Sequence, residues 1–256
     1  MRSSKKRYVS LLLLCCTLKV SGAVTPEDGV VSVASEAPAV IVKGIRDPDW
    51  KSYSAMLKGV EKFREKNTSP TAKLQFMLVP RRPDVDMDGL ELMLEGDQTR
   101  IAIPLERGNI FALPVDKREL YAKAELTINR KAGSVKWLPY VRSAATTTTM
   151  RRLGDLRVAC EVHWAIDKET LPFAARTTIS ALGGPCNFIS KRGSYSFSEA
   201  QPIVSATITF SGKSELIPVS NFSFTPPLRD SRWRDESIVE LHFGAADPKG
   251  NVPVRP

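Results

Sequence analysis

Apolar positions recur with a helical period early in the chain and with a period of two over most of the rest. Asp47-Pro48 reads as a helix start, an Asp cap with proline at the first helical position. Trp50, Tyr53, Leu57, Val60 and Phe63 follow at helical spacing, and Asn67 and Pro70 close the run. This predicts a helix over 48–66 whose aromatic stripe faces a core. From Lys73 onward alternation takes over. Leu90, Leu92 and Leu94 alternate with Glu91, Met93 and Glu95, and Ile101-Ala102-Ile103 follows a Gly96-Asp97 turn. Ile110-Phe111 follows Gly108-Asn109, Ala122 to Asn129 alternates, and Val135 to Trp137 follows Ala132-Gly133-Ser134. Leu156, Val158, Cys160, Val162 and Trp164 fall on one side of a two-residue period, with Arg157, Glu161 and His163 on the other. Further strands are expected near 203–210, 214–219 and 237–243. Short alternating strands with turns every few residues predict a mainly β fold, an antiparallel β-sandwich.

One segment breaks the alternation. Leu171, Ala174, Ala175, Thr178, Ile179 and Leu182 keep helical spacing, with Pro172 in the first turn and Gly183-Gly184-Pro185 as the stop. A short helix near 171–182 is expected there, returning Cys186 toward the strand that carries Cys160. The low-complexity run Ser143 to Met150 reads as a linker or a long connection. The chain then divides into an extended arm over 24–46 and a helix with a first β subdomain over 47–142. A second β subdomain over 151–244 and a tail over 245–256 complete it.

The first residues change how composition is read. Arg2, Lys5, Lys6 and Arg7 precede the apolar stretch Tyr8 to Leu18, and Ser21-Gly22-Ala23 supplies small residues at a cleavage position. This order predicts a signal peptide over 1–23 and an exported product, periplasmic or extracellular. Cys15 and Cys16 raise a lipoprotein signal as the rival, but Leu14 and Cys15 stand where Gly, Ala or Ser would precede the modified cysteine. The stretch is far shorter than the ~20 residues that span a bilayer, and no later run predicts a transmembrane segment. Of 37 Lys+Arg and 28 Asp+Glu, five basic and no acidic residues precede Val24. The remaining balance of 32 to 28 is no basic footprint, so no nucleic acid is expected as a partner. The doublets Arg81-Arg82, Arg151-Arg152 and Lys191-Arg192 read as solvated loop charges. Past the leader two cysteines remain, Cys160 and Cys186. In an oxidising compartment an even pair predicts one disulfide.

Ile103-Pro104-Leu105 with Gly108-Asn109-Ile110-Phe111-Ala112-Leu113-Pro114 resembles the strand–glycine turn–strand signature of transthyretin-like regulatory domains of secreted bacterial proteins. That resemblance implies a sandwich and no activity. The block Arg151-Arg152-Leu153-Gly154-Asp155-Leu156-Arg157 resembles one found in exported bacterial proteins and implies no particular function.

Candidate chemistry is sparse. Asp84, Asp86 and Asp88 with Gly89 and then Glu95 fit the spacing of an EF-hand calcium loop. Pro80 and Pro83 before the loop and a strand-like sequel favour a polar turn, so neither a metal nor a cofactor is expected. Cys160 and His163, three apart on a strand, would point to opposite faces and could not form a catalytic dyad. No catalytic residues are assigned. A dispersed triad using His163 or His242 is the alternative, because such sites assemble from distant positions. The loop from Thr225 to Asp235 opens with Pro226-Pro227 and presents Arg229, Arg232, Trp233 and Arg234. Trp and Arg are enriched at binding hot spots, which makes this loop a candidate contact surface. A lid formed by Trp233, with the arginines paired to Asp230, Asp235 and Glu236, is the competing structural role. The expectation is therefore an exported, non-catalytic binding, scaffolding or envelope-associated module. Its partner would be an envelope component or another protein, with a secreted hydrolase as the alternative. A pocket of convergent Ser, His or carboxylate groups would favour the hydrolase, and a shallow surface with exposed aromatics the module.

Overall fold

The computed structural model describes residues 47–97, 99–116, 123–181, 183–186 and 195–244. All of them belong to one compact unit that begins at Gly44. The leader, the arm and the tail lie outside the described residues. The chain is mainly β. Its first half runs β1 (Pro48–Ser52), α1 (Tyr53–Lys66), β2 (Ala72–Pro80), β3 (Leu92–Gly96), β4 (Thr99–Ile103), β5 (Ile110–Phe111), β6 (Glu125–Lys131) and β7 (Val135–Ser143). The second runs β8 (Met150–Arg152), α2 (Leu153–Asp167), α3 (Phe173–Ala181), β9 (Phe197–Ser198) and β10 (Ile203–Phe210). β11 (Lys213–Ile217), β12 (Val219–Ser220), β13 (Ser223–Phe224) and β14 (Ile238–Phe243) follow.

The strands form sheets ordered β1-β6-β3-β4, β5-β2-β7, β11-β10-β14-β8 and β12-β13-β9. Every pairing among the described residues is antiparallel. Where the turn chemistry is local, the strands lie where alternation predicts them. Gly108 and Asn109 both take positive φ, 85° and 57°, inside the reversal that Glu106 and Ile110 close by exchanging backbone hydrogen bonds. β7 alternates buried and partly exposed residues along its whole length, so Val135, Trp137 and Val141 enter the core while Lys136, Leu138 and Tyr140 do not.

The first helix starts later than predicted. Asp47-Pro48 does not open it, because Pro48 to Ser52 pair with β6 as an edge strand. Ser52 is the cap, its hydroxyl accepting from Ala55 N at 3.4 Å. Trp50 therefore leaves the helical stripe and stands 50% exposed on β1. Tyr53, Met56, Leu57 and Val60 do face the core. Asp49 is buried on the opposite face of β1, where it accepts from Val135 N (3.1 Å) and Trp137 Nε1 (3.2 Å) and fastens β1 to β7.

The largest correction concerns residues 156–164. They form helix α2, not a strand. Leu153, Leu156, Ala159, Cys160, Val162, Ala165 and Ile166 are buried, and their spacing is helical. The helix is buried on two sides, with Val162 and Ile166 in a cluster with α1 and Leu153 and Leu156 in a cluster with β10 and β14. Two buried sides make a short window of helix look alternating. Gly59 of α1 permits the close approach, since a Cβ there would lie 2.7 Å from Ile166 Cδ1.

The expected second helix is α3, and Cys186 beyond it is disulfide-bonded to Cys160. The bridge meets a helix rather than a strand. Helical spacing also removes the geometric argument that parted Cys160 from His163; what excludes that dyad is the disulfide itself. No described helix is long and apolar enough to cross a membrane.

Candidate functional site

Four places gather polar or exposed side chains. The first is the start of α2, where the block Arg151 to Arg157 lies. Arg151 is buried against Glu199, with Nε and Nη2 donating to the carboxylate at 2.9 and 2.7 Å. Its guanidinium lies over the Tyr140 ring, 4.6 Å from the centroid. Arg152 reaches Asp155 (3.5 Å) and Glu236 (3.3 Å). Asp155 is buried and accepts from Ser143 N and Oγ at 2.7 and 2.8 Å. Arg157 donates to the carbonyls of Leu228 (2.7 Å) and Trp233 (2.9 Å) and to the Asp235 carboxylate. The first amides of the helix also have partners, Leu153 N with Ser237 O and Gly154 N with Asp235 O. Gly154 leaves room for this, because a Cβ would fall 2.9 Å from Asp235 Cβ. A cavity of about 260 Å³ opens beside this hub, lined in part by Lys66, Arg152, Arg157, Glu161 and Asp235. Its best-placed charges already hold the loop over 228–236 to α2, so the block is a structural joint.

The second place is at the other end of α2. His163 Nε2 lies 3.1 Å from Asp167 Oδ2, and Lys51 Nζ is 2.7 Å from Oδ1. On its other side, His163 Nδ1 is hydrogen-bonded to the Tyr195 hydroxyl. Burial pushes the Asp167 carboxyl upward, but the contacts to His163 and Lys51 outweigh it and hold it down to about 2. Burial, helped by the Asp167 charge, pushes the Tyr195 phenol up. The phenol therefore keeps its proton. A nucleophile beside a base would need the opposite shift. His163 is thus a partner in a latch rather than the outward-facing residue of a strand, whereas His242 is exposed on β14.

The residues of the calcium-loop spacing do not converge. Asp84 pairs with Arg82 (3.1 Å), and Glu95 pairs across the β3–β4 hairpin with Arg100 (2.8 Å). Asp86 Oδ1 accepts from Asp88 N at 2.8 Å, an Asx-type turn. The loop carbonyls of Asp86 and Asp88 accept from the Arg130 guanidinium. Among the described residues no group of three His, Cys, Asp or Glu side chains is placed to hold a metal. In the loop over 225–235, Trp233 is 3% exposed and belongs to the second core cluster. Arg229 lines the cavity beside the start of α2. Arg232 pairs with Asp230, lowering that carboxyl, and reaches Glu215 at 3.3 Å. Arg234 is exposed, and Asp235 and Glu236 hold Arg157 and Arg152.

The third place is the open face of the β1-β6-β3-β4 sheet. Trp50 is the register partner of Thr127, Thr127 of Met93, and Met93 of Ala102. Directly opposed residues share a face, so the four form a stripe across the sheet. Glu125 and Glu91 border it and have no ion pair among the described residues.

The fourth is a cleft of about 210 Å³ at the end of β2. Arg81, Arg82, Lys136, Ser198, Glu199, Ser220 and Asn221 help to line it. Arg81 Nε donates to Val135 O at 3.1 Å, and among the described residues Lys136 Nζ reaches the Ser198 hydroxyl alone, at 3.5 Å. Sequence reasoning noted Arg81-Arg82 as loop charges and missed this cleft, whose residues come from segments far apart in the chain. It also missed the sheet stripe, because Trp50 fits a helical period equally well. Comparison with family models, curated proteins and solved structures gives no match.

Proposed function

We propose that this chain is an exported, non-catalytic binding module whose contact surface is the open face of the β1-β6-β3-β4 sheet. One observation carries the reading: Trp50, a large amphipathic side chain, is half exposed at the end of a cross-strand stripe with Thr127, Met93 and Ala102. An apolar stripe with a charged border has the anatomy of a protein interface. Glu91 and Glu125 set the sign of that border, so the partner is a protein that brings Lys or Arg to the rim. The disulfide suits the oxidising compartment to which the leader points. The transthyretin-like resemblance of Ile103 to Pro114 and a sandwich arrangement of the sheets belong to the same proposal.

The hydrolase alternative has less support, since the hydroxyl beside the His163–Asp167 pair is a phenol held in its protonated form. The test is retention of the full-length protein on its isolated cell-envelope fraction. Trp50→Ala is expected to release it and Trp50→Phe to keep most of it, with Tm in both variants within about 2 °C of the parent, as for surface changes generally. Full retention of Trp50→Ala would contradict the proposal.

A further inference from the structure

The cleft at the end of β2 belongs to a different set of elements from the sheet stripe, and its chemistry is different. It is walled by Pro80 and the Arg81–Pro83 turn, by Lys136 at the start of β7, by Ser198 and Glu199, and by the Ser220–Ser223 reversal between β12 and β13. Glu199 is the one carboxylate in this lining, and Arg151 already neutralises it from the buried side. Neither Arg81 nor Lys136 has a carboxylate within ion-pair distance among the described residues. Arg82 also lines the cleft and is paired on the surface with Asp84.

The neutral groups reinforce the charges. Ser198 Oγ accepts from Lys136, so its own hydrogen is available to a ligand. Ser223 donates to Ser220 O at 3.0 Å, which keeps the reversal closed. The carbonyls of Asn221 and Phe222 are engaged by Ile203 N (2.7 Å) and Glu199 N (2.8 Å). Asn221 itself takes a positive φ of 47°. The backbone of the reversal is thereby fixed, and the Ser220 hydroxyl and Asn221 amide have no protein partner among the described residues. Two unneutralised cations, one of them a planar guanidinium, sit with hydroxyl and amide donors in one concave site. This is a donor set for a compact oxyanion with several lone pairs.

We infer that this cleft binds the phosphoryl group of a small ligand or of a lipid headgroup. Arg81 and Lys136 supply the charge, and Ser198, Ser220 and Asn221 supply directional hydrogen bonds. The volume exceeds that of a phosphate alone, which leaves space for the carrier.

The experiment is calorimetric titration of the full-length protein with inorganic phosphate and pyrophosphate, against chloride at matched ionic strength. Parallel co-sedimentation uses vesicles of phosphatidylglycerol or of phosphatidylcholine alone. Pyrophosphate is expected to bind more tightly than phosphate. The Arg81→Gln/Lys136→Gln variant should weaken pyrophosphate at least tenfold, and Ser220→Ala should weaken it severalfold. Sedimentation with phosphatidylglycerol that the double variant loses would assign the group to a lipid, and pyrophosphate binding without it would assign it to a soluble ligand. Binding no stronger than chloride, or a folded double variant that binds as well as the parent, would overturn the inference. Should the double variant fail to melt cooperatively, Ser220→Ala decides on the same criterion.

Discussion

The start of α2 and the cleft at the end of β2 both concentrate arginines, and they use them in opposite ways. At α2, Arg151, Arg152 and Arg157 each meet a carboxylate, and Arg157 also holds two carbonyls. In the cleft, Arg81 and Lys136 have a carbonyl and a hydroxyl for company. Glu199 belongs to both places, lining the cleft while its charge is answered from below by Arg151. Charges that answer one another fix the fold. Charges left without a counter-ion beside a cavity are available to something else. Substitutions at the first site should therefore cost stability, and substitutions at the second should not.

The largest effect is expected at the buried pair. Arg151→Ala or Glu199→Ala leaves an uncompensated buried charge and should destabilise by about 3–5 kcal/mol, measured by urea denaturation. Replacing both together with apolar residues should recover much of that loss. Next comes the Cys160–Cys186 bridge, whose sequence separation is 26. Reduction should cost about 3.5 kcal/mol in the chain-entropy account, read as a lowered midpoint in dithiothreitol. Asp155→Ala strips the partner from Ser143 N and leaves Ser143 Oγ with the Ser69 hydroxyl, and a buried unsatisfied donor costs about 1–3 kcal/mol. A double-mutant cycle with Ser143→Ala should show coupling, as residues in contact do.

A smaller contrast is set by pH. The Asp167 carboxyl is held at about 2, below its ordinary value of 3.8. The folded state therefore favours the ionised form. The resulting stability is present above about pH 4 and is lost as pH falls through about 2. Asp167→Asn should flatten that acid limb of a pH–stability curve while leaving its neutral region nearly unchanged in slope. The smallest effect is expected in the cleft, where Arg81→Met and Lys136→Met should stay within about 0.5 kcal/mol of the parent.

How much of this could be read from residues alone follows from how local each signal is. The β5 hairpin and the β6–β7 reversal were legible, because Gly108-Asn109 and Gly133 carry the turn and the flanking residues alternate. The disulfide was legible because Cys160 and Cys186 are the pair that remains once the predicted leader is set aside. α2 was not. Its burial on two sides fills the gaps of a helical stripe, so Leu156, Val158, Cys160, Val162 and Trp164 mimic a strand. Trp50 fits both a helical stripe and an exposed strand position, and only the pairing of Pro48–Ser52 with β6 decides between them. The cleft was illegible for another reason: Arg81, Lys136, Ser198 and Asn221 lie on four separate segments, and no spacing in the chain links them. The arginine block over 151–157 stood out in sequence, but its partners Glu199, Asp235 and Glu236 lie far downstream.

The difference between the two charged regions can be measured in one pair of proteins. Arg151→Met and Lys136→Met each remove one cation and leave an apolar side chain of similar length, and both are compared with the parent by urea denaturation at low ionic strength. The account predicts a loss of about 3–5 kcal/mol for Arg151→Met and a change of no more than about 0.5 kcal/mol for Lys136→Met. Equal losses in the two variants would contradict it, because Lys136 would then hold the fold together as Arg151 does.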